Sequence, residues 1–390
     1  MPESAVATAA ASTATLRKVC ACPGIRVLAW DSEILYAARS YELIRWNAGL
    51  NNAGVAREVE WESVARFDPA WWRSLTARVV PSSRLVRDGF HALAILNDKK
   101  GDCSESRKQG GIDATMVAAV PGAIVTLTPR SDEFRVTHKI QRGTRPLHIA
   151  TVPEGIVYWG EYFDNRERAE VHIFASLDRG ETWHVAYTFS AGTIRHVHNV
   201  VYDEWGDCLW ILTGDEGAEC KVLRASCDFR SVEVVLSGNQ QARAVAAIPL
   251  PDALYLATDT PFEANHVLRL SRDGKVNEVA DLESSSIFGC RVGQATFFST
   301  MVEPSPVNRT REVQIIGSAH DDNWRVLARW RKDKWPMRYF QYGNAVLPDG
   351  DNATSYLAAT TIAVEHDDLV STIWEVECSS DTPVQRPLSA

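Results

Sequence analysis

Apolar and polar positions along the chain fall into a recurring pattern. Four segments, "FASLDRGETWHVAYTF", "LRASCDFRSVEVVLS", "LRLSRDGKVNEVADL" and "IIGSAHDDNWRVLARW", each read as an apolar run, a polar turn and an alternating run. That is the pattern of a β-hairpin. Their serines, Ser176, Ser226, Ser271 and Ser318, are spaced by 50, 45 and 47 residues. A second set precedes them in phase: "GIVYWGEYFDN", "CLWILTGDEGA", "ALYLATDTPFE" and "ATFFSTMVEPS" are apolar runs ending in acidic, turn-rich loops. A third set, "RPLHIATV", "RHVHNVVYD", "QARAVAAIPL" and "SSIFGCRV", opens each unit. Four short strands recurring about every 47 residues predict the blades of a β-propeller.

The pattern extends outward. "RVLAWDSEILYAARSYELIRW" predicts a first blade, and "FHALAILNDKK", "AIVTLTP" and "EFRVTHKI" a second, with a polar insertion at Asn97–Asp113. "FQYGNAVLPDG", "SYLAATTIAVE" and "STIWEVE" supply three strands of a last blade, and "TLRKVCA" near the N-terminus supplies its fourth. Such a strand closes the circle and removes the sheet edges. The expectation is an all-β chain with seven blades; six or eight are the alternatives that the irregular first two blades leave open. Residues 15–378 form one propeller domain, 1–14 a flexible lead-in and 379–390 a tail. One helix is expected near "DPAWWRSLTARVV", with Asp68 as N-cap and Pro69 in its first turn.

Composition narrows the function classes. The 390 residues carry a net charge of −9 and no basic run, which predicts no nucleic-acid-binding surface. No stretch of about 18 apolar residues occurs, so no membrane span is expected. The first residues, "MPESAVATAAASTATLRK", lack the apolar core of an export signal. Eight scattered cysteines without a CxxC pair read as free thiols in a reducing compartment. A cytoplasmic location is the expectation.

Ser176-Leu-Asp178-Arg-Gly180-Glu-Thr182-Trp183 matches S-x-D-x-G-x-[ST]-W. The segment resembles the Asp-box, the bacterial neuraminidase repeat of sialidase-like propellers. Ser226-Cys-Asp228 and Ser318-Ala-His-Asp321 are degenerate copies. As a whole the chain looks like bacterial proteins loosely labelled glycosyl hydrolases. The resemblance implies a propeller with the Asp-box turn between the two outer strands of a blade, away from the active face.

Aligning the repeats predicts which side chains meet in the central funnel. Arg26, His91, His148, His198, Arg243, Ser286 and Asn344 fall at the starts of innermost strands, with Tyr342 just ahead of the last. Loops at the same face add Arg39, Glu161, Tyr162, Asp215, Asp259 and Glu303. His196 and His198 lie two apart on a strand, so their side chains point the same way.

Three chemistries suit this set. Two of Glu161, Asp215, Asp259 and Glu303 flanking a glycosidic bond give acid–base cleavage. His148, His198, Arg243 and Tyr342 suit a lyase, in which a His or Tyr removes a proton and an Arg neutralises a uronate carboxylate. His148, His196 and His198 with an acid form a weaker alternative, a divalent metal site. No other cofactor is called for.

The resulting expectation is a carbohydrate-active enzyme, a glycoside hydrolase or a lyase, acting on an acidic glycan. His148, His198, Glu161, Asp215, Arg243 and Tyr342 would be catalytic. Arg39, His91, Arg145, Arg195, His196, Tyr162, Asp259 and Glu303 would contact substrate. The alternative is a non-catalytic propeller holding a glycan or protein partner in a polysaccharide pathway.

Overall fold

The computed structural model describes residues 12–51, 59–69, 89–97, 114–319, 322–337 and 341–380. They form seven sheets arranged as a seven-bladed β-propeller, antiparallel except for one parallel pair in blade 1. Blade 4 shows the unit: His196–Asp203 innermost, then Cys208–Gly214, Lys221–Ala225 and the outer Val232–Ser237. The second strand of this blade is buried along its whole length, as are Ala253–Thr258 and Ala295–Thr300 in the next two. A strand packed against neighbours on both faces must be apolar on both, so these segments read as continuous apolar runs. Outer strands alternate, because one face meets solvent.

Apolar packing is divided into layers, one between each pair of adjacent blades. Leu28, Leu43 and Phe134 join blades 1 and 2, and Val117, Val157 and Trp159 join 2 and 3. Ile173 and Leu209 bridge 3 to 4, Leu212 and Leu254 bridge 4 to 5, and Tyr255 and Phe298 bridge 5 to 6. Val313 and Leu357 complete 6 to 7, and Trp30 and Ile373 complete 7 to 1. Gly160 shows how closely blades approach, since a Cβ there would lie 2.3 Å from Val197 Cγ1 of the next blade.

The N-terminal strand closes the circle as expected. Ser12–Pro23 pairs antiparallel with Val370–Ser380 and becomes the outer strand of blade 7. The strand that was not foreseen is Asp349–Asn352. It follows Pro348, whose missing amide proton cannot continue a ladder. It leaves blade 7 and pairs parallel with Arg26–Ser32, making blade 1 five-stranded. Glu62–Arg66 supplies the outer antiparallel strand of blade 1. The expected helix falls mostly on residues 70–88, outside the described residues, as does Cys103. Seven cysteines are described, and all are free thiols. Among the described residues no helix is long and apolar enough to cross a membrane.

Two ends of the propeller follow from the antiparallel order. Turns between strands 1 and 2, and between 3 and 4, lie at one end of each blade. Loops between strands 2 and 3, and the links from blade to blade, lie at the other. The turn around Ser176–Trp183, after Val171–Ser176 and before His184–Phe189, lies at the first end. Asp178 accepts hydrogen bonds there from Ser176 Oγ, Thr182 N and Thr182 Oγ1 at 2.7, 2.8 and 2.6 Å. The turn docks on blade 2, where Thr126 Oγ1 donates to Gly180 O and Trp183 Nε1 to Thr137 Oγ1.

Candidate functional site

The second end carries a cluster of buried ionisable groups, centred on blade 4. Its inner strand contains a β-bulge. Val197 pairs with Thr213 and Asn199 with Leu212, which leaves His198 as the extra residue. Bulges bend a strand and re-aim side chains, and they concentrate near sites. The same bulge recurs at Leu28, Val245 and Ile287. Counting from it, the structural equivalents of Arg26 and Arg243 include His196. Alignment by sequence had placed His198 there, two residues further along the strand.

His196 and His198 are 5% and 3% exposed. Their Nε2 atoms lie 3.1 Å apart. His196 Nδ1 is 3.1 Å from Phe163 O, and His198 Nδ1 is 2.9 Å from Ala244 O. Asp215, just past the second strand, brings Oδ1 to 3.4 Å from His196 Nε2 and 3.3 Å from His198 Nε2. Gly214 permits this approach, since a Cβ there would lie 3.2 Å from both Arg243 Cγ and His198 Cε1. Asp215 also meets Arg195 Nη1 at 3.1 Å and Arg243 Nη2 at 3.3 Å. Burial opposes ionisation of Asp215; when the two histidines are protonated, their hydrogen bonds and charge outweigh it and hold the carboxyl well below the usual range.

Arg243 links this group to a second carboxylate. The same Nη2 lies 3.2 Å from Asp259 Oδ2. Burial pushes Asp259 up to about 7; Arg243 works against this, while Glu303 and Asp215 add to it. Tyr162 covers the histidines, its ring centroid 4.3 Å from that of His196 and tilted by 44°. Burial, followed by the charges of Asp215 and Asp259, raises its phenol to about 12. Glu303 accepts a hydrogen bond from Ser285 Oγ at 3.2 Å and acts on the charges of Arg243 and Asp259. His196, His198, Asp215, Arg195, Arg243, Asp259, Tyr162 and Glu303 therefore belong to one electrostatic and hydrogen-bonded constellation.

The other expected residues are placed elsewhere. Glu161 was expected to be catalytic, but its carboxylate is tied to the Arg142 guanidinium and the His172 amide. It braces the loop before Tyr162. His148 Nδ1 lies 3.1 Å from Asp349 Oδ2, and its ring meets Phe288 edge-on. The trio His148, His196 and His198 is thus not assembled; among the described residues, the ligand-type atoms that converge are those of His196, His198 and Asp215. Tyr342 is 42% exposed on the link into blade 7, and Arg39 is exposed at the end of Ile34–Arg39. His91 is held well below its ordinary value by burial and then by Arg145 and Arg26, which marks a separate cationic group at blades 1 to 3.

A supporting layer escaped the sequence reading. Gln240 Nε2 donates to Asp215 O at 3.0 Å, and Thr260 Oγ1 donates to Gln240 Oε1 at 2.7 Å. Asn265 reaches Asn308, and Asn308 reaches Ser285. All are buried. The signal was faint, because Asn, Thr and Gln in loops ordinarily serve turns.

The fold defines a β-propeller. No family model matches the chain, and no curated protein sequence does. Among solved structures, it is similar to a chain of a mitotic checkpoint complex, over 97% of this chain and 98% of that one, at 11% identity and a TM-score of 0.52. It is similar to the WD40 beta propeller domain of Doa1 over 93% and 97%, at 10% identity and 0.52. A puromycin hydrolase mutant aligns over 87% of this chain and 50% of its own, at 13% identity and 0.54. At these identities the likeness is one of fold alone.

Proposed function

We propose that the blade 4–5 cluster is an active site that cleaves an acidic glycan by proton transfer. The observation that carries this reading is the pair of carboxylates on one guanidinium nitrogen. Asp215 and Asp259 both meet Arg243 Nη2, yet their surroundings push their protonation apart. Titratable groups driven apart in this way mark acid and base roles. Asp259, poised at about 7, is the proton donor or acceptor. Arg243 and Arg195 bind the anionic group of the sugar, and Tyr162 provides a wall for the ring. The Asp-box resemblance supports a carbohydrate ligand. Asp215, kept ionised beside Arg195 and Arg243, is the charged partner of this pair, and Glu303 is a further acid–base group.

The test is a panel of acidic and neutral oligosaccharides, read for new reducing ends and for the ultraviolet absorbance of an unsaturated product. Cleavage of acidic substrates, abolished in Asp259→Asn, is the expected result; absorbance would identify elimination, and reducing ends alone hydrolysis. Cleavage at wild-type rate in Asp259→Asn, or no cleavage anywhere on the panel, would refute the reading.

One observation favours a non-catalytic propeller that binds a glycan or protein. Phe262, Trp335 and Tyr342 are 60, 42 and 42% exposed on loops of the same end. Exposed aromatics there suit a docking rim. Saturable binding of panel members without turnover would favour that reading.

A further inference from the structure

We propose that His196 Nε2, His198 Nε2 and Asp215 Oδ1 are ligands of a divalent transition-metal ion. The argument starts from hydrogen-bond direction. Both Nδ1 atoms face backbone carbonyls, Phe163 O at 3.1 Å and Ala244 O at 2.9 Å. A carbonyl can only accept, so each Nδ1 carries the ring proton. In a neutral imidazole, Nε2 is then a bare lone pair. Two such lone pairs stand 3.1 Å apart. The carboxylate oxygen that meets both, at 3.3 and 3.4 Å, is a third acceptor.

With both rings neutral, three acceptors converge, and the donor beside them, Arg243 Nη2, reaches only the carboxylate oxygen at 3.3 Å. Unrelieved, that arrangement is repulsive, and both imidazoles are buried. A cation at their common centre resolves it. The neighbouring guanidiniums do not take this place. Arg195 engages the opposite oxygen, Oδ2, and Arg243 reaches the Oδ1 of Asp215 on its way to Asp259. Asp259, Glu303 and Asp164 keep the surroundings from becoming strongly cationic.

The supporting contacts are those of a metal site. Imidazole ligands ordinarily donate their second nitrogen to a carbonyl or carboxylate, which fixes tautomer and orientation. The Gln240 donor to Asp215 O anchors the third ligand. Two imidazoles and one carboxylate select zinc, manganese, iron, cobalt or nickel over magnesium and calcium. Three protein ligands leave positions open for water or substrate, as in reactive rather than closed structural sites. This inference stands without the glycan reading, because metal binding is measured without substrate.

The experiment uses the full chain, stripped with chelator and titrated with Co(II) and, in competition, Zn(II). Wild type should take up one equivalent of Co(II) with visible ligand-field bands, and Zn(II) should displace it and raise the melting temperature. His196→Ala, His198→Ala and Asp215→Asn should each weaken binding by more than ~100-fold, beyond the 10–100-fold typical of outer partners. His148→Ala should bind as wild type does. A melt of each metal-free variant identifies any that fails to fold; Asp215→Asn, which keeps the shape of the side chain, then carries the test. Absence of stoichiometric binding by wild type would overturn the proposal, as would full binding by a folded Asp215→Asn or His196→Ala.

Discussion

Asp259 offers a measurable consequence of burying a carboxyl group beside like charges. Its protonation lies near 3.8 in the unfolded chain and about 7 in the fold. The folded value is the higher one, so the folded state holds the proton longer. The stability this group contributes is whole below about pH 3.8 and is lost as pH rises through about 7. At about 1.4 kcal/mol per pKa unit, ionisation costs the fold roughly 2 kcal/mol at pH 5 and roughly 4 kcal/mol at pH 8. Asp259→Asn keeps the shape, stays neutral and can still accept from Arg243. It should lack that pH-dependent loss of roughly 2–3 kcal/mol. With an unfolding entropy of ~2.1 cal/mol/K per residue, this corresponds to about 3 °C for a chain of this length. Melting wild type and variant by calorimetry at pH 5 and pH 8, both with chelator, gives the answer. The variant should gain about 3 °C on wild type between the two pH values. An unchanged gap, or a variant that falls further behind at pH 8, would show that the carboxyl is ionised throughout and that its pairing with Arg243 dominates.

Other outcomes follow from packing and closure. Trp159→Ala removes a fully buried ring stacked on Phe174 at 4.4 Å between centroids, and should cost about 3–5 kcal/mol in denaturant titrations. Gly160→Ala drives a Cβ toward Val197 and should destabilise by about 1–3 kcal/mol; because Val197 lies between the two site histidines, Co(II) affinity should fall with it. Deleting residues 1–23 bares the edge of Val370–Ser380, and size-exclusion chromatography should show association or aggregation in place of a single folded species.

The propeller was legible because each blade repeats one pattern and each second strand is apolar on both faces. "CLWILTG" and "ALYLAT" can sit only inside such a stack. Closure by the N-terminal strand followed from counting strands in the last blade. The site was partly legible. Asp215, Asp259 and Glu303 recur at the same loop of successive blades, and His196 and His198 share one side of a strand. What periodicity did not carry is side-chain partnership. Glu161 stands at the corresponding loop in blade 3, yet Arg142, from the preceding link, takes its carboxylate. His148 aligns by sequence with His198, yet finds Asp349 on a strand that crosses to another blade. One arginine from a link and one relocated strand were enough to redraw which side chains meet.

The seam in blade 7 sets the order in which the molecule can be made. Thr15 faces Glu377 across 362 positions, so the last sheet cannot be completed until residues 370–380 have emerged from the ribosome. Until then the early strand waits without its mate, and the other six blades lie in an open arc with two exposed ends. Loop closure over that distance is slow compared with the local hairpins, so it should be the final folding event. It also makes the molecule nearly circular in connectivity. A permuted chain, opened at a turn of another blade and joined across the present ends, would build the same histidine site from a different starting residue.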